Sequence, residues 1–267
     1  MAVYGILASD KYLLEKIKVE GIGKNFFRKG IQTEAIKGLS LDINEKEFVT
    51  IIGPSGCGKT TFLRILAGLI SYDAGSILVD GKPVKGPGFD RAMVFQQFNL
   101  YPWRNILDNV SIGLELRGYA KNKRYEIAEK YMKLVGLVGF EKHYPQEMSG
   151  GMQQRAGLAR ALAVNPDILL MDEPFASVDA QTRETLQTET LRIWSETQKT
   201  VVFITHSIDE AVYLSDRIIL LTPRPGKVAE IFDVDLPRPR WSYDTHAHPV
   251  FVNLRSKISS ILKQSQH

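Results

Sequence analysis

The chain has 267 residues, 44% hydrophobic and 24% charged, which is globular composition and excludes a disordered or fibrous chain. Its net charge of +4 is mild and scattered, so it argues for no nucleic-acid partner and is equally compatible with a basic face toward a membrane partner. A single cysteine excludes an intramolecular disulfide.

The length allows one large domain, or one domain carrying a substantial insertion. Met1–Leu14 is a short leader without pattern, and Met1–Lys18 lacks the basic start and apolar stretch of a signal peptide. No run approaches the ~20 apolar residues that cross a bilayer. The expectation is a cytoplasmic protein whose membrane association is made through a partner. Ile17–Glu20 alternates as a strand, Gly21–Gly30 reads as a turn region, and Leu39, Leu41 and Ile43 alternate as a second strand. Phe26 is the candidate for stacking on adenine from this region, the alternative being that Phe26 or Phe27 is simply core.

Phe48–Ile52 then reads as a buried strand, and Thr61–Ala67 as a helix ended by Gly68. Between them lies GPSGCGKTT, which fits G-x-x-x-x-G-K-[ST] through Gly53, Gly58, Lys59 and Thr60. Glycines let the loop point successive N–H groups inward, and the helix N-terminus adds further donors and a positive dipole end. Lys59 is placed to reach β- and γ-phosphates, and the Thr60 hydroxyl to ligate Mg²⁺. Gly53, Pro54, Ser55, Gly56, Cys57, Gly58, Lys59, Thr60 and Thr61 are the candidate phosphate-binding residues. Cys57 reads as a small residue that fits the turn, and as a point where thiol reagents would block binding.

Ser76–Val79 and Ala92–Phe95 are further strands, the second ending at Gln96. Asn105–Leu116, Lys123–Val135 and Met152–Ala163 carry helical spacing, the pattern of a helical insertion in an α/β domain. Ile168–Met171 is a continuous apolar run ending in Asp172 and Glu173, as in a buried parallel strand with acids at its C-terminal end. Asp172 is placed to hold Mg²⁺, and Glu173 to polarise a water. Val201–Thr205 is another buried strand, ending at His206, which is either structural or a γ-phosphate contact. Ser207-x-x-Glu210 fits a capping box. Arg217–Leu221 reads as a last parallel strand, Leu236–Arg240 as a stiff linker, and Phe251–Leu262 as an amphipathic terminal helix.

Ser149-Gly150-Gly151-Met152 opens the last insertion helix, with Ser149 as its cap. Alone, the motif is either a generic helix start or a second phosphate-binding nest; as a second nest it would suggest a composite site, for which two copies of the chain are one way of building it. In order and spacing, GPSGCGKT, VFQQ, MSGGMQQR, ILLMDEP, ASVD and ITH resemble the ATP-binding subunit of ABC transporters, from about Ile17 to the C-terminal helix. The resemblance implies an α/β fold: a P-loop ATPase core with an antiparallel β subdomain (1–97 and 164–235), an inserted helical subdomain (98–163) and a C-terminal linker and helix (236–267). It implies ATP and Mg²⁺ as cofactors. Phe26 matches the adenine-stacking aromatic and Gln96 the residue that senses Mg²⁺ and γ-phosphate. Ser149–Met152 match the signature loop that closes over another subunit's nucleotide, with Met152 where Gln is commonest. Asp172 matches the Mg²⁺ aspartate, Glu173 the catalytic base, Asp179 the D-loop acid and His206 the switch histidine. Ser177-Val178 replaces the usual Ala-Leu.

The segment Phe98–Trp103 and the tail TPRPGKV…LPRPR are similar to importers of the nitrate, sulfonate and taurine group. The implied partners are a second ATP-binding subunit, identical or a close paralogue, a transmembrane permease and, through it, an extracytoplasmic solute-binding protein. The implied location is peripheral, on the cytoplasmic face of the inner membrane. An exporter subunit and a soluble mechanical ABC protein are the competing readings; the second usually carries a long coiled-coil insertion or tandem nucleotide domains, which are absent from this sequence.

Overall fold

The computed structural model describes residues 14–28, 30–176 and 178–264. Two sheets lie behind the site. The smaller is antiparallel, in the order β2-β1-β4-β5, from β1 (Glu15–Arg28), β2 (Ile31–Asn44), β4 (Ala74–Val79) and β5 (Lys82–Pro83). The expected short strand and turn over 17–30 are in fact one long strand. Register shifts between Val19 and Asn25 act as bulges that absorb the glycines, and the chain reverses only after Arg28.

The larger sheet contains β3 (Phe48–Ile52), β6 (Arg91–Val94), β7 (Ile168–Asp172), β8 (Thr200–Ile204), β9 (Arg217–Leu221) and β10 (Val228–Asp233). Their order is β10-β9-β3-β8-β7-β6, parallel except for β10. Every residue of β3, β7 and β8 is buried, which explains runs such as FVTII and ILLMD: strands covered on both faces do not alternate. Because β3, β8 and β7 are neighbours, the three loops at their C-terminal ends meet on one edge, where open α/β sheets bind ligands.

Helix α1 (Lys59–Leu66) follows β3 and ends before Gly68, whose positive φ of 74° stops it. Helices α2 (Ile106–Leu116), α3 (Lys121–Leu134) and α4 (Gly150–Ala163) follow β6 and share one apolar core with the sheet face carrying Phe48, Leu169 and Phe203. The opposite face packs with α1 and the small sheet. Helix α5 (Ala180–Thr197) was not foreseen from the pattern. Its buried side includes Gln187 and Thr190 beside Leu186, Leu191, Ile193 and Trp194, so apolar periodicity is faint.

Helix α6 (Ile208–Leu214) begins as expected with Ser207 accepting from the Glu210 N–H at 3.3 Å. The return half of the capping box is not made: the buried Glu210 carboxylate accepts from Thr205 Oγ1 and, at 3.3 Å, from Gln187 Nε2. The expected linker at 236–240 is also corrected. Arg240 is 1% exposed and donates to the carbonyls of Tyr213 (2.9 Å) and Val212 (3.3 Å) at the end of α6. Arg238 bonds Asp216 at 2.7 Å and lies over the Trp194 ring. Helix α7 (Pro249–Gln264) then buries Phe251 and Ile258.

Candidate functional site

The loop between β3 and α1 needs glycine at Gly58, which has φ 101° and a backbone so close to β2 that a Cβ would stand 2.8 Å from the Ala35 carbonyl. Gly58 opens α1 without a side-chain cap, which leaves first-turn N–H groups free for an anion. Lys59 is buried and donates to the carbonyls of Gly53 (2.8 Å) and Pro54 (3.1 Å), so its ammonium lies across the inside of the loop.

Thr60 Oγ1 donates to Asp172 Oδ1 at 2.9 Å, joining α1 to the end of β7. Burial pushes the Asp172 carboxyl up, against the Thr60 hydroxyl that favours its charged form. Arg64 and Lys59 also favour that charged form. With the Thr60 hydroxyl, Asp172 forms a hard oxygen pair that suits Mg²⁺, whose shell substrate phosphates and water would complete. Among the described residues no cluster of three or more His, Cys, Asp or Glu could hold a metal alone.

Glu173 follows in a left-handed conformation, φ 45°, held by its N–H donating to Ile204 of β8 at 3.0 Å. A non-glycine residue there is strained by about 1–3 kcal/mol, and such strain clusters at functional sites. Its Oε2 shares a 3.0 Å hydrogen bond with Nδ1 of His206, from the end of β8.

Lys59, Thr60 and Glu173 line one cavity of about 260 Å³ with Phe26, Ser55, Gly56 and Thr61 among others, whereas Asp172 and His206 are not in its lining and join it through their hydrogen bonds to Thr60 and Glu173. Phe26 stands opposite Thr33 across the β1–β2 pair, and Thr33 also lines the cavity. Neither phenylalanine is core: Phe26 is 42% and Phe27 75% exposed. Cys57 is 1% exposed and burial pushes its thiol up, so it is the turn-filling residue and a poor target for thiol reagents.

Three predicted groups stand elsewhere. Gln96 is exposed beyond the end of β6 and does not line the cavity. Ser149 caps α4 by accepting from the Met152 N–H at 3.3 Å, and Asp179 caps α5 by accepting from the Thr182 N–H at 3.0 Å. Hydrogen bonding from the Thr182 hydroxyl, then from its N–H, holds the Asp179 carboxyl below the usual range. The two caps are close, since a Cβ on Gly151 would lie 2.9 Å from Thr182 Cγ2. Both are exposed, with the Gly150 backbone. Ser177 lies outside the described residues. Sequence reasoning missed Thr33, Ala35 and Arg224 in the lining; the alternation of Thr33 and Ala35 could have shown two of them, whereas Arg224 reaches the cavity only through the fold.

The profile of the ABC transporter family matches residues 36–176, more than half of the chain. The chain belongs to the ABC transporter family. Like this ABC chain is an uncharacterized ABC transporter ATP-binding protein of Methanocaldococcus jannaschii, 56% identical over 248 residues, 93% of this chain and 91% of the relative. A taurine import ATP-binding protein of Rhizobium johnstonii is 45% identical over 244 residues, covering 90% and 93%. Among solved structures, a dimeric bacterial ABC transporter cassette superposes with TM-score 0.74 at 34% identity, covering 83% of this chain and all of the other. A dimeric post-hydrolysis state of a cassette bound to ADP and phosphate matches with TM-score 0.73 at 33% identity. The ABC fold is therefore shown along most of the chain, and none of its described helices is long and apolar enough to cross a membrane.

Proposed function

We propose that this chain is the ATP-binding and hydrolysing subunit of an ABC importer for a small anionic or polar solute of the nitrate, sulfonate or taurine type. The observation that carries the ATPase reading is one cavity lined by the Lys59 loop, Thr60 and Glu173, with Asp172 hydrogen-bonded to Thr60 and His206 to Glu173. Phe26 takes the adenine, the loop N–H groups and Lys59 take the phosphates, and Glu173 accepts a proton from water as it attacks the γ-phosphorus in line. The bond from that phosphorus to the β-phosphate oxygen breaks, leaving ADP and phosphate. His206 keeps Glu173 turned toward the water and shares the developing charge. Mg²⁺, held by Thr60, Asp172 and Gln96, would neutralise charge on the phosphates when bound.

The Ser149 loop and Asp179 have no role in the cavity of their own chain. They fit the second half of a site completed by another copy or a close paralogue, a reading supported by the dimeric cassettes to which the chain is similar. The helical unit 98–163 would turn against the core 1–97 and 164–235 as that sandwich closes, with 236–267 anchored to the core. The turn would reach a membrane permease through Gln96 and the exposed Tyr101 and Trp103 beside it, whose rings lie 5.4 Å apart. The taurine importer names of relatives support uptake; an importer of this kind would place this chain on the cytoplasmic face and, through the permease, a solute-binding protein outside the membrane.

The direct test is Glu173→Gln. It should bind MgATP as the parent does and hydrolyse it at least about 100-fold more slowly; near-normal steady-state turnover would remove Glu173 as the base. Purifying that tagged variant with ATP from native membranes tests transport. A multi-span permease and an extracytoplasmic binding protein should accompany it, whereas soluble partners alone would overturn the importer reading.

A further inference from the structure

The turn between β9 and β10, TPRPG, lies outside the phosphate-loop motif, yet it is fastened to that loop. Arg224 donates from Nε to the Gly56 carbonyl at 3.0 Å. Two residues on, Gly226 donates to the Ala35 carbonyl at 3.0 Å and accepts from the Lys37 N–H at 3.2 Å. A side chain at Gly226 would collide with the carbonyl of Cys57. Thr222 closes the turn by donating to the Pro225 carbonyl at 3.0 Å. Arg224 is therefore carried as a fixed part of the cavity rim, between β2 and the crest of the phosphate loop.

It also lines the same cavity as Phe26, Lys59, Thr60 and Glu173. Only its Nε is engaged, and among the described residues no carboxylate pairs with it. A guanidinium has five N–H donors in a planar fork that matches phosphate oxygens. Tethered through Nε, it presents its terminal nitrogens without losing much side-chain freedom on binding. We infer that Arg224 is a nucleotide-binding residue, donating from its terminal nitrogens to the polyphosphate chain. This rests on the nucleotide reading of the cavity, and it gives the TPRPG turn a role in the site.

The test is equilibrium titration of the full chain with MgADP and with Mg-bound nonhydrolysable AMP-PNP. Arg224→Ala should weaken both about tenfold, equivalent to about 1.4 kcal/mol, with a shallower salt dependence than wild type. Arg224→Lys, which keeps the charge but loses the fork and the Nε tether, should fall between Ala and wild type, and Arg224→Gln should behave like Ala. The melting temperature of the nucleotide-free variants should not change, because the side chain is exposed. An Arg224→Ala affinity within twofold of wild type would overturn the inference. So would rescue by Gln as good as that by Lys, since the arginine would then only brace Gly56. If wild type and Lys59→Ala both fail to bind either nucleotide, the nucleotide reading itself falls.

Discussion

Phe26 and Phe27 are neighbours in sequence with opposite surroundings. Side chains alternate along a strand, so only one of them can face the phosphate loop. That one is Phe26, cross-strand from Thr33 and within 5.7 Å of the Lys24 ammonium, while Phe27 faces away from the cavity. Nothing in the residue pair itself distinguishes them; the bulges of β1 set the phase. A stacked base is worth about 1–3 kcal/mol. Phe26→Ala should therefore weaken ADP and ATP binding by the same factor, about tenfold or more, while Phe26→Tyr holds close to wild type. Titration with both nucleotides checks this, and an unchanged Phe26→Ala affinity would move adenine elsewhere. The acids at Asp172 and Glu173 were legible because a wholly apolar strand that ends in two carboxylates has few other uses. The hydrogen bond from Glu173 to His206 was not, since it requires β7 and β8 to be adjacent.

At the scale of elements, α5 and α6 are joined by one buried carboxylate. Glu210 accepts from Thr205, just before His206, and from Gln187 on α5, with Arg183 Nε 3.9 Å away. Arg183 in turn donates to the Val178 carbonyl beside Asp179 at 3.1 Å. Burial pushes the Glu210 carboxyl up despite these donors. With a raised folded value, the native state holds a proton that the unfolded state releases. Stability from this group is thus present at low pH and is lost as pH rises from the ordinary carboxylate range through the raised value. Glu210→Gln, whose amide can pair with Thr205 and a flipped Gln187, should remove that slope. The difference in urea midpoint between variant and wild type should grow in the variant's favour across the window. A constant difference would mean that the network holds the ionised carboxylate without penalty. Measuring the difference matters, because Asp172 and Glu47 are also pushed up by burial and contribute the same sign to both proteins.

For the whole molecule, the tail changes from an expected spacer to part of the core. Arg240 is buried and forms no ion pair among the described residues, and burial, with Arg238 nearby, brings its guanidinium down to about 10 despite the opposing pull of Asp216. Its partners are the carbonyls at the end of α6, groups that a helix leaves unpaired and that carry its negative dipole end. Arg240→Ala should leave them buried without donors and cost about 2–3 kcal/mol, measured by denaturant titration, with faster amide exchange confined first to 234–248. Retention of wild-type stability and exchange would mean that Phe251 and Ile258 alone hold the tail. Through α6 this anchor lies one element away from His206, so the C-terminal segment is continuous with the layer that carries the site.

The buried strands β3, β7 and β8, the insertion helices, the phosphate loop and the order of the acids follow from the sequence alone, because continuous apolar runs, helical spacing and the spacing of glycines are local signals, whereas α5 and the full length of β1 do not. The sequence also showed a second glycine motif that its own cavity would not use. Sheet order, which brings loops 53–58, 173 and 205–206 to one edge, is set by pairing between strands far apart in the chain. Arg224 at the rim, Glu210 between two helices and Arg240 under α6 are tertiary decisions of the same kind. Each is a charged side chain that looks like surface in a sequence, and its surroundings are made by segments it meets only when the chain is folded.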